Sequence, residues 1–429
     1  MQLPKDQKWA WKSVAGGFIS FAMILSIDLS YSIIFKDVKN FYDVNSTIAS
    51  SLFGFIIGFR LLLGPFVVIA ISLFDCDKVS IFGAALIGLG LFVSSCAPNM
   101  IIFMIGYGAL VGIGLSFCFT ATLIVLSENF YKKKGLAFGI ASSGVSVGLI
   151  VFPHVFALLI RYYEFRSALM VFSAFSLNIV VIGLLYRRPY FITNNKTEVQ
   201  MEPKAPPKEY NILKPKPKNK LEIIIKESFL NSKPWRNLNF LIFIVGNSWF
   251  LMGLVPWTIF IVDFSNSIGE INLNIAVLTF TIEGISQFFA RILSGVIFDI
   301  RHVRRIRGII CAVSCFFSAL SCVLLIVIPP SISSFLSISL FRGFSIGIFI
   351  SQNVVILGDL CNPSFLSISI GIMSFMKGIG CLMGSFLSGV IRDNSKSYFE
   401  TFMFLGANQF FAGMMMLYAT VRNSTGKGR

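Results

Sequence analysis

Twelve predominantly apolar runs divide the chain, at about 13–35, 47–72, 80–97, 100–127, 135–159, 167–187, 237–262, 272–298, 308–328, 335–358, 365–391 and 398–421. At 1.5 Å per residue, a helix of about twenty residues crosses the ~30 Å hydrocarbon layer of a membrane. None of the runs shows the short alternating pattern of a membrane β-barrel, and helices are the remaining way to satisfy backbone polar groups in lipid. Six runs fall on each side of a polar stretch, 188–236, where Lys204, Pro206, Pro207, Lys214, Pro215, Lys216, Pro217 and Lys218 crowd together. So basic and proline-rich a segment is unsuited to packing a core and predicts a linker. Within it, Lys220 to Phe229 alternates charge with Ile224 and Ile225, which fits either a short helix on the membrane surface or more solvated chain. The pattern therefore predicts an all-α membrane protein of twelve transmembrane helices: a six-helix bundle over 1–187, a linker over 188–236, and a six-helix bundle with a short tail over 237–429.

Composition agrees with this and adds an orientation. The chain is 55% hydrophobic and 13% charged, with a mean hydropathy of +0.79, too apolar for a soluble protein. A net charge of +16 raises nucleic acid as a partner, but 12 of the 36 Lys and Arg lie between Arg187 and Arg236 and most of the others cluster in short loops. That distribution reads as topology signal, and no nucleic-acid partner is expected. With the N-terminus in the cytosol, 26 cationic residues face inward and six outward (Lys36, Lys39, Arg161, Arg166, Arg392 and Lys396). Both termini are thus predicted to be cytosolic, with the lipid bilayer as surroundings and the plasma membrane as location. Met1 to Lys12 is polar and basic without an apolar leader, so the first span is expected to be its own anchor. Asn45-Ser46-Thr47 is a glycosylation sequon on the outer side. The eight cysteines fall mostly within apolar runs without a CxxC pair and are expected to pack as small apolar residues. No metal, cofactor or enzymatic apparatus is expected.

Candidate chemistry lies in the polar residues inside the spans. Glu283, Gln287 and Arg291 are spaced at four-residue intervals, which places them on one helix face. A guanidinium at bilayer depth costs at least ~3 kcal/mol on insertion scales and is rarely left facing lipid. Arg291 either anchors a carboxylate through its planar fork of donors or forms an ion pair inside the bundle, with Glu283 or Asp359. Asp28 in the first span could meet an ammonium group, titrate, or pair with a neighbouring helix. Glu283 is a candidate coupling residue or a fixed partner of Arg291. Arg60, Arg342 and Lys377 complete a cationic set, with Lys377 expected to point inward and Arg342 to reach the headgroups. Gln352 and Asn353 are candidates for reading the uncharged part of a substrate, and Asp359 for pairing with a cation. His154, after Pro153, fits a hydrogen-bonded kink histidine or a pH-sensitive group.

Several motifs resemble a known family. Leu126 to Gly148, LSENFYKKKGLAFGIASSGVSVG, resembles the fifth-span signature of the monocarboxylate transporter family (solute carrier family 16). Tyr162 to Leu169 is similar to the Y-G-W-R-x-A-L that precedes its sixth span, and Gly371 to Tyr398 to its eleventh span with a G-x-x-x-G-x-x-x-D ending. Trp9-Ala10-Trp11 is a reduced form of its first-span approach. Gly64-Pro65 with Asp75 to Lys78, and Gly295 to Asp299 followed by Arg301, Arg304, Arg305 and Arg307, resemble matching pivot-and-latch loops of the two halves. The resemblance implies the major facilitator superfamily fold, whose halves rock about a midplane site, and makes Arg291 the substrate-binding arginine. Two positions depart from it: the first-span Lys that hands over a proton falls on Leu29, and its eighth-span Asp partner falls on Gln287. These changes argue against the family's standard proton coupling.

The function expected is a facilitative or symport carrier of small carboxylate-bearing solutes, monocarboxylates or zwitterionic amino-acid-like molecules, with two acids in the spans and the loss of the family Lys tilting the expectation toward zwitterions. Arg291, Gln287, Gln352, Asn353 and Asp28 would contact substrate, while Glu283, Asp359, Lys377 and Arg60 would serve as charge partners. A single-span glycoprotein chaperone, needed by some relatives, is a possible partner. The alternative is a transport-silent receptor or scaffold that keeps the fold and uses the 188–236 loop to bind partners or anionic lipid. A channel fits less well, since no filter or pore ring is visible.

Overall fold

The computed structural model describes residues 10–44, 46–130, 133–186, 237–267, 273–300, 302–329, 331–361, 365–395 and 397–426. The linker 188–236 with its Lys220–Phe229 segment, the sequon residue Asn45 and Trp9 lie outside them. The helices in chain order are α1 (Ala10–Phe41), α2 (Ser46–Leu62 continued by Gly64–Phe74), α3 (Cys76–Ser95) and α4 (Met100–Asn129). They are followed by α5 (Lys134–Phe156), α6 (Leu158–Gly183), α7 (Leu238–Ser267), α8 (Leu273–Asp299) and α9 (Arg307–Val327). The last three are α10 (Ile332–Leu360), α11 (Leu366–Ser395) and α12 (Tyr398–Gly426). Among the described residues eleven helices are long and apolar enough to cross a membrane, and the bent α2 brings the number to twelve.

Helix ends and breaks follow local chemistry. Asn99 caps α4 by accepting from the Ile102 amide at 2.9 Å, and Ser331 with Ser334 forms a reciprocal capping box on α10. The second apolar run is not the continuous span that its hydropathy predicts: it bends by 44° at Leu63, where Pro65 interrupts the ladder. Gly64-Pro65 therefore sits inside the span, not after it.

A second break, where the chain turns back from α5, falls within the first turns of α6 as bounded above. One helical run, Lys134–Ser176, is interrupted at Glu164, whose φ of 59° and ψ of 166° belong to a region essentially reserved for glycine. Glu164 occupies the place of the Gly in the Y-G-W-R pattern and is exposed, so its side chain gains no burial in return for the strain. Glu164→Gly is expected to stabilise the protein by about 1–3 kcal/mol, read as a higher melting temperature in detergent with transport unchanged.

The bundles close through glycines, because helices in lipid associate by close packing and not by a hydrophobic force. In the N-terminal half, Gly144 and Gly148 of α5 lie against the backbone of α1 at Phe18 and Ala22. In the C-terminal half, Gly380 and Gly384 of α11 lie against the backbone of α7 at Ser248 and Met252. The halves then cross at two equivalent places. Gly135 and Gly139 of α5 meet Gly295 and the Arg291 carbonyl of α8, while Gly371 and Gly378 of α11 meet Gly64 and Leu62 of α2. The outer surface is apolar, with Phe66, Phe289 and Phe386 at least 64% exposed, as lipid contact requires.

Candidate functional site

The α8 stripe predicted from spacing is present and buried. Arg291 is 0% exposed, Gln287 and Glu283 5% each. The Arg291 Nη2 donates to Gln287 Oε1 at 2.7 Å, and Gln287 Nε2 donates to Glu283 Oε1 at 3.0 Å. Gln287 thus stands between the two charges, and Arg291 is not locked to an acid. Among the described residues its Nε and Nη1 have no hydrogen-bond partner, nor does Glu283 Oε2. Buried unmet donors cost ~1–3 kcal/mol each and more when charged, so this arrangement suits a ligand that supplies oxygen atoms.

Small residues on α10 allow the stripe to be covered this closely. A methyl group at Gly343 would run into the Glu283 backbone, and one at Gly347 would come within 2.9 Å of the Gln287 carbonyl. Further along α10, Gln352 is fully buried, with Nε2 3.4 Å from Ser351 Oγ and Oε1 unpartnered. Asn353 donates to Asn247 Oδ1 on α7, leaving its own Oδ1 unmet. Ser351 also faces Ser294 of α8 at 3.0 Å, one turn beyond Arg291. Asn247 was not legible as a site residue, because a lone amide in an apolar run carries no spacing signal.

The other half contributes a charge pair. Asp28 of α1 accepts from Arg60 Nη1 of α2, with Asp28 Oδ1 and Arg60 Nε left over. Asp28 is therefore engaged by a cation across the bundle and is not the free acid that an ammonium-binding role requires. Beside it, Ser30 Oγ and Tyr107 OH lie 2.6 Å apart, and Tyr107 donates to the Ile27 carbonyl at 3.0 Å. Gly378 of α11 packs on the backbone of Leu62, which sets the turn of α11 that carries Lys377 beside the turn of α2 that carries Arg60. Lys377 makes no hydrogen bond or ion pair among the described residues. Asp359 pairs with Arg307 at the foot of α9, not with Arg291. Arg342 corrects the expectation of snorkelling: it is 0% exposed and points into the C-terminal bundle, 3.9 Å from the centre of the Trp257 ring. His154 approaches Thr281 across the α5–α8 contact, 3.3 Å away.

At the end where the linker joins, Asp299 closes α8 onto α5. Its carboxylate accepts from the Gly135 amide at 3.1 Å and the Leu136 amide at 2.9 Å, the unpaired donors of the first turn of α5. Asp299→Ala is expected to remove about 1–2 kcal/mol from this closed contact, roughly a tenfold change in the open fraction. A cysteine placed at Ser367, which contacts Glu128 at 3.5 Å across the halves, should react correspondingly faster with a maleimide applied from the linker side.

Two six-helix halves, glycine-lined crossings and a buried polar stripe are the plan of one group of membrane carriers, and residues 13–385 match the Major Facilitator Superfamily. The chain belongs to the Major Facilitator Superfamily. It is thus a multi-pass membrane transporter. Among superfamily relatives, it is 25% identical over 429 residues to monocarboxylate transporter 12 of Xenopus laevis, covering 98% of this chain and 90% of that protein. Against monocarboxylate transporter 12 of Homo sapiens, identity is 22% over 97% of this chain and 81% of the relative. Monocarboxylate transporter 2 of Meriones unguiculatus is 23% identical, covering 98% of this chain and 86% of that protein. The resemblance carried by the fifth-, sixth- and eleventh-span motifs is borne out, and these superfamily relatives are named as transporters, not enzymes.

Proposed function

We propose that the chain carries small organic anions bearing a carboxylate, by alternating access between its two halves. The observation that supports this most directly is the Arg291 guanidinium, fully buried with Nε and Nη1 unbonded among the described residues, so that either one, with the second hydrogen of Nη2 beside it, can take the two oxygens of a carboxylate. Gln287 orients the fork through Nη2, and Gln352 Oε1 and Asn353 Oδ1 are unused acceptors for hydroxyl or keto-hydrate groups. The full burial of Arg291 means that the solute reaches it only when α8 moves away from α5 or α10, which ties binding to the rocking of the halves.

Charge favours an anion over a zwitterion. Asp28 is paired with Arg60, which leaves Arg291 and Lys377 among the span cations against the carboxylate of Glu283, itself bonded to Gln287. Leu29 and Gln287, at the positions of the family's proton-handling Lys and Asp, cannot take or give a proton, so uptake is proposed to proceed without a steep pH dependence. The names of the similar proteins, monocarboxylate transporters, agree with this solute class. The 26 to 6 distribution of cationic residues supports both termini in the cytosol, and the resemblance to the monocarboxylate transporters supports the plasma membrane as the location.

The test is uptake of labelled lactate against labelled aromatic amino acids, in cells expressing the chain, with and without an inward proton gradient. Saturable uptake of the acid with little response to the gradient is expected. Uptake of the amino acids alone would overturn the anion reading, and lactate uptake rising steeply in acid would overturn the uncoupled one. A chain lacking 188–236 should keep its rate if that segment is only a linker.

A further inference from the structure

The C-terminal half buries a second guanidinium that the α8 stripe does not use. Arg342 lies about 15 Å along α10 from the end opposite the linker, stacked on Trp257 of α7 and 0% exposed. Its Nη1 makes only long contacts, 3.3–3.5 Å, to Ser318, Ser321, Cys322 and Gln409. Its Nε and Nη2 have no hydrogen-bond partner among the described residues.

Two further donors of the same group are unmet: the Trp257 indole N–H and the Gln409 amide nitrogen. The Gln409 carbonyl oxygen already faces Arg342 at 3.5 Å and Cys322 Sγ at 3.9 Å, so the amide nitrogen is its unused end. Every unmet side-chain group on Arg342, Trp257 and Gln409 is a donor, and one of the three residues carries a full positive charge. Buried donors in proteins nearly always have acceptors.

Glu283 of α8 stands close by, since Gly343, the residue after Arg342, packs directly on its backbone, and Arg291 lies two turns further along α8. Glu283 Oε1 accepts from Gln287 Nε2, and its Oε2 forms no bond with Arg342. One carboxylate therefore stands between two buried guanidiniums, and the group is short of one negative charge. The surroundings are dry: Phe402, Leu405, Leu325 and Phe335 pack with Trp257 and Cys322 into one apolar cluster. Such walls reject strongly hydrated multivalent ions and suit a small monovalent one.

We propose that Arg342, Trp257 and Gln409 form a second anion site, separate from Arg291, for a monovalent anion of halide or carboxylate size. It does not rest on Arg291 binding solute. The anion is either inorganic halide or the carboxylate of a small organic acid, and the test distinguishes them.

Melting of the purified full chain is measured in detergent in sodium chloride, bromide, acetate and isethionate at matched ionic strength. Chloride or bromide should raise the melting temperature above isethionate by several degrees, saturably, as a ligand of the native state does. The rise should persist in Arg291→Gln, vanish in Arg342→Gln and weaken in Gln409→Leu, which keeps the charge and serves if Arg342→Gln does not fold. Acetate acting in place of halide, with the same dependence on Arg342 and Gln409, would support the site and assign it to a carboxylate. No anion effect in the wild type, or an effect retained in Arg342→Gln, overturns the proposal. An effect that emerges only in Glu283→Gln also overturns it, since Glu283 would then be the counter-ion.

Discussion

Arg291→Ala is expected to abolish measurable carboxylate uptake while leaving the protein at the membrane. Truncating one side of a buried, hydrogen-bonded charge pair costs about 2–5 kcal/mol, which corresponds to a loss of roughly 30-fold to several thousand-fold in apparent affinity. The mutation also removes the desolvation penalty of the guanidinium, so folding should not suffer. Arg291→Lys separates charge from geometry: the ammonium keeps the field but loses the planar fork, and it should raise KM strongly with a smaller change in maximal rate. Initial rates normalised to surface-biotinylated protein check both. A lysine variant with wild-type KM would mean that Arg291 acts as a point charge and not as a two-oxygen clamp.

Breaking the Asp28–Arg60 pair from either side should be the most damaging single change to folding. Asp28→Asn leaves the part-buried Arg60 without its counter-ion at bilayer depth, and removing one partner of a buried pair costs about 3–5 kcal/mol, somewhat less where one partner is part-exposed. The double variant Asp28→Leu with Arg60→Met replaces both charges by apolar groups, and it should recover most of that loss. The readout is monodisperse yield and melting temperature in detergent for the two singles and the double. Recovery of folding without recovery of transport would assign the pair a working part in the cycle; recovery of both would make it structural.

The α8 stripe was legible because a helix converts spacing of four into a shared face, and Glu283, Gln287 and Arg291 sit at that spacing in a run otherwise apolar. The twelve runs were legible for the same kind of reason, since span length is set by the thickness of the bilayer. Partner choice across helices was not. Asp28 with Arg60, Asp359 with Arg307 and Asn353 with Asn247 are separated by 32, 52 and 106 positions, and nothing local distinguishes these pairings from other combinations. Arg342 misled because depth along a helix does not say which way a side chain points. Its burial depends on Trp257 and Gln409, supplied by α7 and α12. The turn between the fifth and sixth runs was legible as the gap from 159 to 167, but its strained centre at Glu164 was not, because a glutamate does not advertise a positive φ although the motif places a glycine there.

The crossings of α5 on α8 and of α2 on α11 bring main chain against main chain, with almost no interlocking knobs between the two halves at Gly135, Gly139 and Gly295 or at Gly64 and Gly371. Surfaces of that kind slide. Tilting one six-helix body against the other need not lift side chains out of sockets at these points, so the resistance to motion falls mainly on the few polar ties at either end. Turnover speed should then be tunable from the periphery, far from where the solute is held.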